Sequence, residues 1–303
     1  MSSRKKLRPD TLHRPDLLSD LPDDILLFIL TKLSASASSP SDFFTVLATC
    51  KRMNRLGMSP AVLRELSGNA MAVKARSWSE ISHRFLRKCV QAGNVEGHYL
   101  LGMIRFYCLG ICASGASLMA KAAMRNHARS LYSLALIHLN AGRKSKDDKD
   151  VQAGVALCAR AAYLGSIDAT CELAHCLING YGVRHDLSRG RRLFLRAGLR
   201  ELQGSKLSGS VEALHQPDAA HRFLREWFEC GRASVAAARG GDGDRCVEVR
   251  LCSNDVCGRI ETRANEFRSC SVCRSVSYCS RACQTLHWRS RHKDLCAPNG
   301  GDA

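Results

Sequence analysis

Seven of the sixteen cysteines in this 303-residue chain lie between Leu251 and Cys296, and they constrain the fold of that stretch more than any other feature does. Three explanations are open: disulfide bonds, a metal site, or a cluster of buried thiols. The basic N-terminus lacks the apolar core of a secretory signal, and no apolar run reaches the ~18 residues that a membrane span needs. A cytosolic or nuclear chain is therefore expected. Thiols stay reduced there, so clustered cysteines indicate metal before disulfide.

The spacing of this cluster predicts two metal sites. Its four donor pairs are Cys252 and Cys257, Cys270 and Cys273, Cys279 and Cys283, and His292 and Cys296. Eight donors fill two tetrahedral sites, and Zn²⁺ prefers such ligands at about 2.0–2.3 Å. A stretch of about 45 residues buries too little apolar surface to fold alone, and zinc would supply the missing free energy. His287 is a rival to His292, but only His292 lies one helical turn before Cys296.

The order of these donors resembles that of a MYND zinc finger over about 251–296. The matching features are three cysteine pairs followed by a His–Cys pair, with TyrCys at 278–279 and HisTrp at 287–288. A RING finger is set aside, because its histidine stands near the fourth donor position rather than the seventh. The resemblance implies interleaved binding of two Zn²⁺ ions. It assigns one ion to Cys252, Cys257, Cys279 and Cys283, and the other to Cys270, Cys273, His292 and Cys296. The first pair departs from the commoner two-residue gap and has four residues between its cysteines.

The resemblance also implies binding rather than catalysis. Eight protein ligands close both sites, whereas a catalytic zinc ion keeps one position open for water. MYND fingers are generally peptide-binding modules, and many recognise proline-rich segments. The matching residues are Gln284 and Trp288, one helical turn apart, where an amide and an indole would contact an extended peptide. The alternative is that Trp288 packs into the small core of the finger.

The N-terminal region predicts short amphipathic helices. Leu21 and Pro22 open the first one, where proline is tolerated, and Asp23 and Asp24 suit its positive end. An apolar stripe follows at helical spacing, formed by Ile25, Leu26, Ile29, Leu30 and Leu33. After a loop rich in serine and alanine, the segment 42–60 predicts another amphipathic helix.

This pattern resembles an F-box over residues 19–66. The diagnostic parts are LeuPro at 21–22 and the CysLys-x2-Asn segment at 50–54. The resemblance implies that the region buries its apolar face against a Skp-type adaptor, which links it to a cullin. The matching candidates for adaptor contact are Leu21, Pro22, Ile25, Ile29 and Leu30. The alternative is an ordinary pair of helices.

The middle of the chain repeats weakly between about 90 and 200. The small residues Gly102, Ala135 and Ala174 mark equivalent positions, 33 and 39 residues apart. A period of this length with paired helices indicates an α-solenoid, in which small residues let neighbouring helices approach closely. The sequence around the loop predicted at 180–186 resembles Sel-like repeats, relatives of tetratricopeptide repeats. Two to three units are predicted, with a concave face for a partner or a purely structural spacer role as alternatives.

Four further segments are assigned by composition. Residues 1–18 predict a basic flexible tail, and 202–215 predict a loop. Residues 219–231 predict a helix that packs on the last repeat. Residues 232–250 predict a flexible glycine-rich linker, which leaves the orientation of the finger relative to the repeats open.

The three modules in this order resemble a plant-type group of F-box proteins with Sel-like repeats and a C-terminal MYND finger. The predicted fold class is mostly α: N-terminal F-box helices, an α-helical repeat solenoid, and a small two-zinc MYND finger. The resemblance implies a non-catalytic substrate-recognition subunit of a cullin-based ubiquitin ligase in the nucleus or cytoplasm. Its expected partners are a Skp-type adaptor, the cullin ligase and an unidentified target with a proline-rich segment. No membrane partner is expected.

Two rival function classes stay open. Some MYND fingers are embedded in lysine methyltransferases, but the AsnHis-x-Cys signature of their SET domain is missing, and the AsnHis at 126–127 continues AlaArgSer. The net charge of +17 and the basic segment 281–293 favour a nuclear MYND-type transcriptional cofactor or scaffold with electrostatic contact to nucleic acid. The basic residues are spread along helices rather than massed in one run, so a solvated basic surface is favoured over nucleic-acid binding.

Overall fold

The computed structural model describes residues 21–141, 148–208, 217–230, 250–262 and 265–298. Most of these residues are helical, which confirms the predicted fold class. No helix within these ranges is long and apolar enough to cross a membrane. The tail predicted at 1–18 and nearly all of the linker predicted at 232–250 lie outside the described residues.

Four short helices form the N-terminal region. They are α1 (Asp23–Ser36), α2 (Pro40–Leu47), α3 (Lys51–Gly57) and α4 (Pro60–Glu65). The single helix predicted over 42–60 is wrong: Cys50 is extended there and its sulfur accepts a hydrogen bond from Met53 N, so a new helix begins. Helix α1 packs on α3 and α4 and buries Leu26 and Leu30 between them.

Asn94 joins these helices to the repeats. The connecting elements are a 3-10 turn (Ala75–Ser77) and α5 (Glu80–Gln91). The Asn94 side-chain oxygen accepts a hydrogen bond from Gly97 N and so caps the first repeat helix. Its amide nitrogen donates to the carbonyl oxygens of Leu63 and Leu66 at 2.8 and 2.7 Å. Because Asn94 is buried, these bonds fix the end of α4 to the repeats.

Three helix pairs follow as repeat units. They are α6 (Val95–Met103) with α7 (Cys112–Met124), α8 (Ala128–Ala141) with α9 (Asp148–Tyr163), and α10 (Ile167–Asn179) with α11 (Leu187–Ser208). A π-helical turn, Ile104–Cys108, extends α6. The loop between α10 and α11 lies where it was predicted, at 180–186. Residues 202–208 were predicted as loop, but helix α11 continues through them because no proline interrupts it. The rest of the predicted loop lies outside the described residues.

Small residues bring the two helices of each unit together. In every unit, a small residue of the first helix faces a glycine of the second, and a Cβ on that glycine would lie 2.7–3.1 Å from the facing carbonyl oxygen. The pairs are Gly102 with Gly115, Ala135 with Gly154, and Ala174 with Gly190. The first members are the three markers from which the repeat was predicted. Their spacing therefore reflects a steric requirement at each helix crossing.

Helix α12 (Ala219–Glu229) packs on α6 and on the 3-10 and π-helical turns. Its predicted packing on the last repeat is therefore wrong, because Asp218 at its N-cap accepts a hydrogen bond from the Tyr99 hydroxyl of α6 at 3.0 Å. The C-terminal finger packs on α8 and α10. Helix α12 and the finger together cover the face formed by α6, α8 and α10, here called the first-helix face. The finger consists of β1 (Arg268–Ser269), β2 (Ser277–Tyr278), α13 (Arg281–His287), a π-helical turn (Trp288–His292) and α14 (Lys293–Leu295). One apolar core runs without interruption from Leu26 in α1 to Cys283 in the finger. The first-helix face is therefore covered by the chain itself rather than offered whole to a partner.

Candidate metal centre and its docking on the repeats

Two loops of the finger carry its first four cysteines. The loop with Cys252 and Cys257 is closed by a hydrogen bond from Cys252 N to the Arg259 carbonyl oxygen at 2.9 Å. The loop after β1 turns back sharply at Arg274, whose φ of +54° is left-handed. Cys270 N donates to Val276 O at 2.9 Å, so this turn is held where β1 and β2 pair. Each loop therefore presents two sulfur atoms to one side.

The second half of the finger supplies the remaining donors. Cys279 follows β2, and Ser280 caps α13 by accepting a hydrogen bond from Cys283 N at 3.1 Å. His292 ends the π-helical turn, and Cys296 follows α14. The wider π-helical winding follows directly after α13 and carries the chain from one donor set to the other.

The first donor set is Cys252, Cys257, Cys279 and Cys283, whose sulfur atoms lie within 4.8 Å of one another. Cys279 Sγ is 3.5 Å from Cys257 Sγ and 3.6 Å from Cys283 Sγ. Four sulfurs at the corners of a tetrahedron, each ~2.3 Å from a zinc ion, would be about 3.8 Å apart. All four cysteines are buried. The set fits one Zn²⁺, which would leave a net charge of −2 inside the protein.

The second donor set is Cys270, Cys273, His292 and Cys296. Cys270 Sγ lies 3.8 Å from Cys296 Sγ, and Cys273 Sγ lies 3.5 Å from His292 Nε2. A sulfur and an imidazole nitrogen on one tetrahedral zinc ion would be about 3.6 Å apart. This set also fits one Zn²⁺, with a net charge of −1. Both sets consist of the residues predicted from the sequence, and four protein donors would close the coordination sphere of each ion.

His287, the alternative to His292 as a metal ligand, lies next to one donor set without belonging to it. His287 is buried outside both donor sets, and its Nδ1 lies 3.0 Å from the Tyr278 hydroxyl. Its ring stacks on that of His292 with centroids 5.5 Å apart. His287 therefore packs against a predicted metal ligand and is not itself a member of either donor set. Cys246, a cysteine just upstream of the finger, lies outside the described residues.

The predicted peptide-binding residues lie on α13 and the turn after it. Gln284 is half-buried, and its Oε1 accepts a hydrogen bond from Arg281 Nη1 at 2.7 Å. Trp288 is 40% exposed, and its ring meets that of His292 edge-on at 5.7 Å. The indole thus has one side against a zinc ligand and another in solvent. Core packing accounts for only part of its surface.

Arg259 connects the first zinc site to the repeats. It is 4% exposed, and its Nη1 lies 3.7 Å from Cys257 Sγ and 3.9 Å from Cys279 Sγ. Its Nη2 donates to Ser133 Oγ of α8 at 3.1 Å, and the guanidinium lies over the Tyr132 ring. Burial alone would lower the pKa of Arg259, but the sulfur charges raise that pKa well above its ordinary value. A permanent cation thus faces the more negative of the two sites.

Glu172 makes a second connection, from α10 to the finger helix α13. Its carboxylate is buried and accepts hydrogen bonds from the backbone N–H groups of Arg281, at 3.0 Å, and Ala282. Burial raises the pKa of Glu172 above its ordinary value, while the two N–H donors act in the opposite direction. A carboxylate at this position satisfies orphan donors and complements the positive end of the helix. Burial and the nearby arginines Arg281 and Arg268 also lower the pKa of His175 to about 4.

Contacts at other points fix the finger further. Asn140 Nδ2 donates to Cys279 O at 3.1 Å, and Arg225 Nη1 of α12 donates to Asp255 O at 3.0 Å. Gly258 has a φ of +67°, and a Cβ there would lie 2.7 Å from Arg225 N. The orientation that the sequence left open is therefore defined. The hydrophobic periodicity of the sequence could not reveal these contacts, although Glu172 stands out as a carboxylate within an apolar helix.

The chain is similar to known proteins along nearly its whole length. One family model, described as plant tetratrico peptide repeats, matches residues 70–179, and another, described as MYND finger, matches 252–296. In Arabidopsis thaliana, the F-box protein At5g50450 is 50% identical over 312 residues, covering 97% of this chain and 90% of that protein. The F-box protein At1g67340 is 49% identical over 326 residues, covering 96% and 83%. The chain belongs to this family of F-box proteins.

A solved structure also matches this F-box protein at low sequence identity. It is that of c5321, a protective antigen of uropathogenic Escherichia coli strains that displays an SLR fold. The match is 17% identical, covers 72% of this chain and 50% of that chain, and has a TM-score of 0.43.

The F-box protein presents three apolar side chains on one side of α1. Ile25, Phe28 and Ile29 are 44%, 62% and 45% exposed, and together they are called the α1 patch. Phe28 was not among the predicted contacts, although it lies one turn after Ile25 and could have been found from that spacing. Contiguous exposed apolar side chains of this kind mark interaction sites.

The other three predicted adaptor contacts are placed differently. Leu30 is 2% exposed and lies in the core between α1 and its neighbours, so its prediction as a contact residue is wrong. The apolar stripe of α1 is broad enough to serve both the core and the surface, and Leu30 belongs to the inner half. Leu21 is half-buried against the core, and Pro22 is exposed at the N-cap of α1.

Loss of the Glu172 carboxylate is expected to loosen the finger of this F-box protein. Glu172→Ala leaves two backbone donors at the start of α13 without a partner, which costs about 1–3 kcal/mol. Hydrogen exchange of the backbone amides in α13 should therefore accelerate by roughly tenfold or more. Glu172→Gln keeps one acceptor oxygen and should show a smaller change. Equal exchange in all three proteins would contradict the role given to this carboxylate.

Proposed function

We propose that this F-box protein is the substrate-recognition subunit of a cullin-based ubiquitin ligase, acting in the nucleus or cytoplasm. The observation that carries the proposal is its identity of about half with two F-box proteins along nearly the whole chain. The α1 patch supports it, because an adaptor-binding helix needs exposed apolar side chains. The repeats and the MYND finger supply a second, separate set of surfaces for a target protein.

The chain would act by proximity rather than by chemistry. Its N-terminal helices bind a Skp-type adaptor and through it the cullin, while the finger binds the protein to be modified. Holding both on one body raises the effective concentration of target lysines near the conjugating enzyme. The fixed docking of the finger favours this function, because a rigid connection keeps the distance between the two binding sites constant.

Within the finger, the target contact assigned to Gln284 and Trp288 suits a proline-rich segment. Trp288 offers a partly exposed indole face, and Gln284 offers an amide on the adjacent helical turn. Extended proline-rich peptides bind aromatic side chains in this way and lose little conformational entropy on binding.

Placing a charge in the α1 patch tests the adaptor contact. Ile29→Asp puts a carboxylate into the apolar interface, and the desolvation of that charge should cost about 2–4 kcal/mol of binding free energy. We expect purified Skp-type adaptor to bind roughly 30-fold or more weakly, as measured by calorimetry. Ile29 is 45% exposed in the free chain, so circular dichroism and zinc content should stay unchanged.

The matched control is Ile81→Asp on α5. Ile81 is 79% exposed and lies outside the α1 patch, so this variant should bind the adaptor like the unchanged protein. Adaptor binding that survives Ile29→Asp, in a protein that is still folded, would reject the assignment of α1. Absence of adaptor binding by the unchanged protein would reject the proposed function itself.

A further inference from the structure

Helix α11 carries a row of exposed leucines that the adaptor and finger contacts do not use. Leu195, Leu199 and Leu202 are 69%, 59% and 59% exposed. Their spacing of four and three residues puts them on one side of the helix, here called the leucine stripe. Ala197, on the opposite side, is buried against α10. Aliphatic side chains of this size in a row are the feature expected of a surface that another helix covers.

The position of α11 in the repeat array explains why the leucine stripe is open. In the two preceding units the second helix is covered by the next unit, since α7 contacts α8 and α9 contacts α10. Among the described residues no further unit follows α11. A Cβ added at Gly198, beside the stripe, would have no atom within 4 Å. Terminal helices of repeat proteins normally present a polar outer surface. Helix α11, the last repeat helix within the part of the chain that the structure describes, exposes apolar side chains instead.

The charges around the leucine stripe select the partner. Arg191, Arg192 and Arg196 are all exposed, and their helical positions place them on both flanks of the stripe. Glu201 lies outside this surface, because its carboxylate receives Arg289 of the finger at 3.2 Å. The stripe is thus bordered by positive charge on either side. A partner with acidic flanks would gain favourable electrostatics, and one with basic flanks would be repelled.

We infer that the leucine stripe binds an amphipathic helix of the target protein, with apolar residues at its centre and Asp or Glu residues on its flanks. A second copy of this chain does not suit the surface, because symmetric pairing would bring two sets of Arg191, Arg192 and Arg196 together. The basic N-terminal tail does not suit it for the same reason of charge. The inference rests on the proposed function in one respect, which is that the occupant belongs to the target.

Binding of designed peptides to the full, zinc-loaded chain tests this surface. The first probe is a labelled helix of about 18 residues, or five turns, with leucines on one side and glutamates on both flanks. The second is the same peptide with lysines in place of the glutamates. We expect fluorescence polarisation to show affinity about tenfold or more higher for the glutamate peptide, with the difference shrinking as salt is raised.

Two double variants separate apolar from charge contributions. The double variant Leu195→Gln with Leu199→Gln should bind the glutamate peptide about tenfold or more weakly. Arg191→Glu with Arg196→Glu should reverse the preference and favour the lysine peptide. All four positions are exposed, so the fold should stay intact. Matched controls are Ile81→Gln and Arg84→Glu, which change exposed residues of α5 and should leave peptide binding unchanged.

Three results would overturn the inference. The first is equal affinity for the two peptides, or for the unchanged protein and the leucine double variant. The second is a dimer of the unchanged chain in sedimentation that Leu199→Gln dissociates, which would make a second copy the occupant. The third is peptide binding only after deletion of residues 209–216, which would make that segment the occupant. Adaptor binding does not enter the experiment, so the proposed function can fail independently.

Discussion

Removal of zinc with a strong chelator is expected to unfold residues 250–298 and to leave the helices α1 to α11 folded. The strands of the finger are two residues long each, and its cysteines meet only at the two donor sets. Structural zinc contributes about 10–16 kcal/mol in small fingers, far more than this segment can obtain from apolar burial. Hydrogen-exchange mass spectrometry should show complete loss of protection in the finger, and elemental analysis should give two zinc ions per chain before treatment.

The docked position of the finger adds a second, smaller effect. Tyr132, Ser133 and Glu172 are covered by the finger, so α8 and α10 should exchange faster once it unfolds. The variant Cys273→Ser removes one ligand and should reproduce the loss of finger protection without a chelator. Binding of a Skp-type adaptor, which we propose for the α1 patch, should be unchanged in that variant. A finger that stays protected after both zinc ions are gone would contradict the metal-dependent fold.

The features that the sequence predicts here are those with a local signature. The eight zinc donors were predictable because ligand pairs need fixed short spacings. The repeat units were predictable because each helix crossing needs a small residue, as at Gly102, Ala135 and Ala174. The broken helix at Cys50 was missed, since an extended N-cap cysteine does not disturb the hydrophobic pattern around it.

The docking of the finger could not be predicted, because its determinants are long-range and individually ordinary. Arg259 and Ser133 are 126 residues apart in sequence, and Glu172 and Arg281 are 109 apart. The glycine-rich linker predicted between the repeats and the finger indicated that these two parts are independent of each other. The orientation is determined instead by the buried Arg259 guanidinium of the finger, which bonds to the repeats, and by the buried Glu172 carboxylate of the repeats, which bonds to the finger. Such polar contacts specify one arrangement, because any other would leave buried charges unpaired.

Replacement of Arg259 by methionine is expected to weaken zinc binding at the first site selectively. Methionine fills a similar volume but cannot donate to the Cys257 and Cys279 sulfurs or to Ser133. The −2 charge of a four-cysteine zinc site would then be buried without its cation, at a cost of about 3–5 kcal/mol. Zinc release to a chromophoric chelator should become biphasic, with one ion leaving roughly 100-fold faster or more. The ion held by Cys270, Cys273, His292 and Cys296 should leave in the second, slower phase.

The contrast between a buried and a surface arginine makes the assignment of Arg259 specific. Arg291 pairs with Asp255 at 3.9 Å, and both side chains are largely exposed. Arg291→Met should therefore change zinc release little, since exposed pairs contribute about 0–1 kcal/mol. Arg259→Lys keeps the charge but loses the fork that reaches sulfur and serine together, so its release rate should be intermediate. Unchanged release of both ions from Arg259→Met would show that the guanidinium holds the finger against α8 without stabilising the metal site.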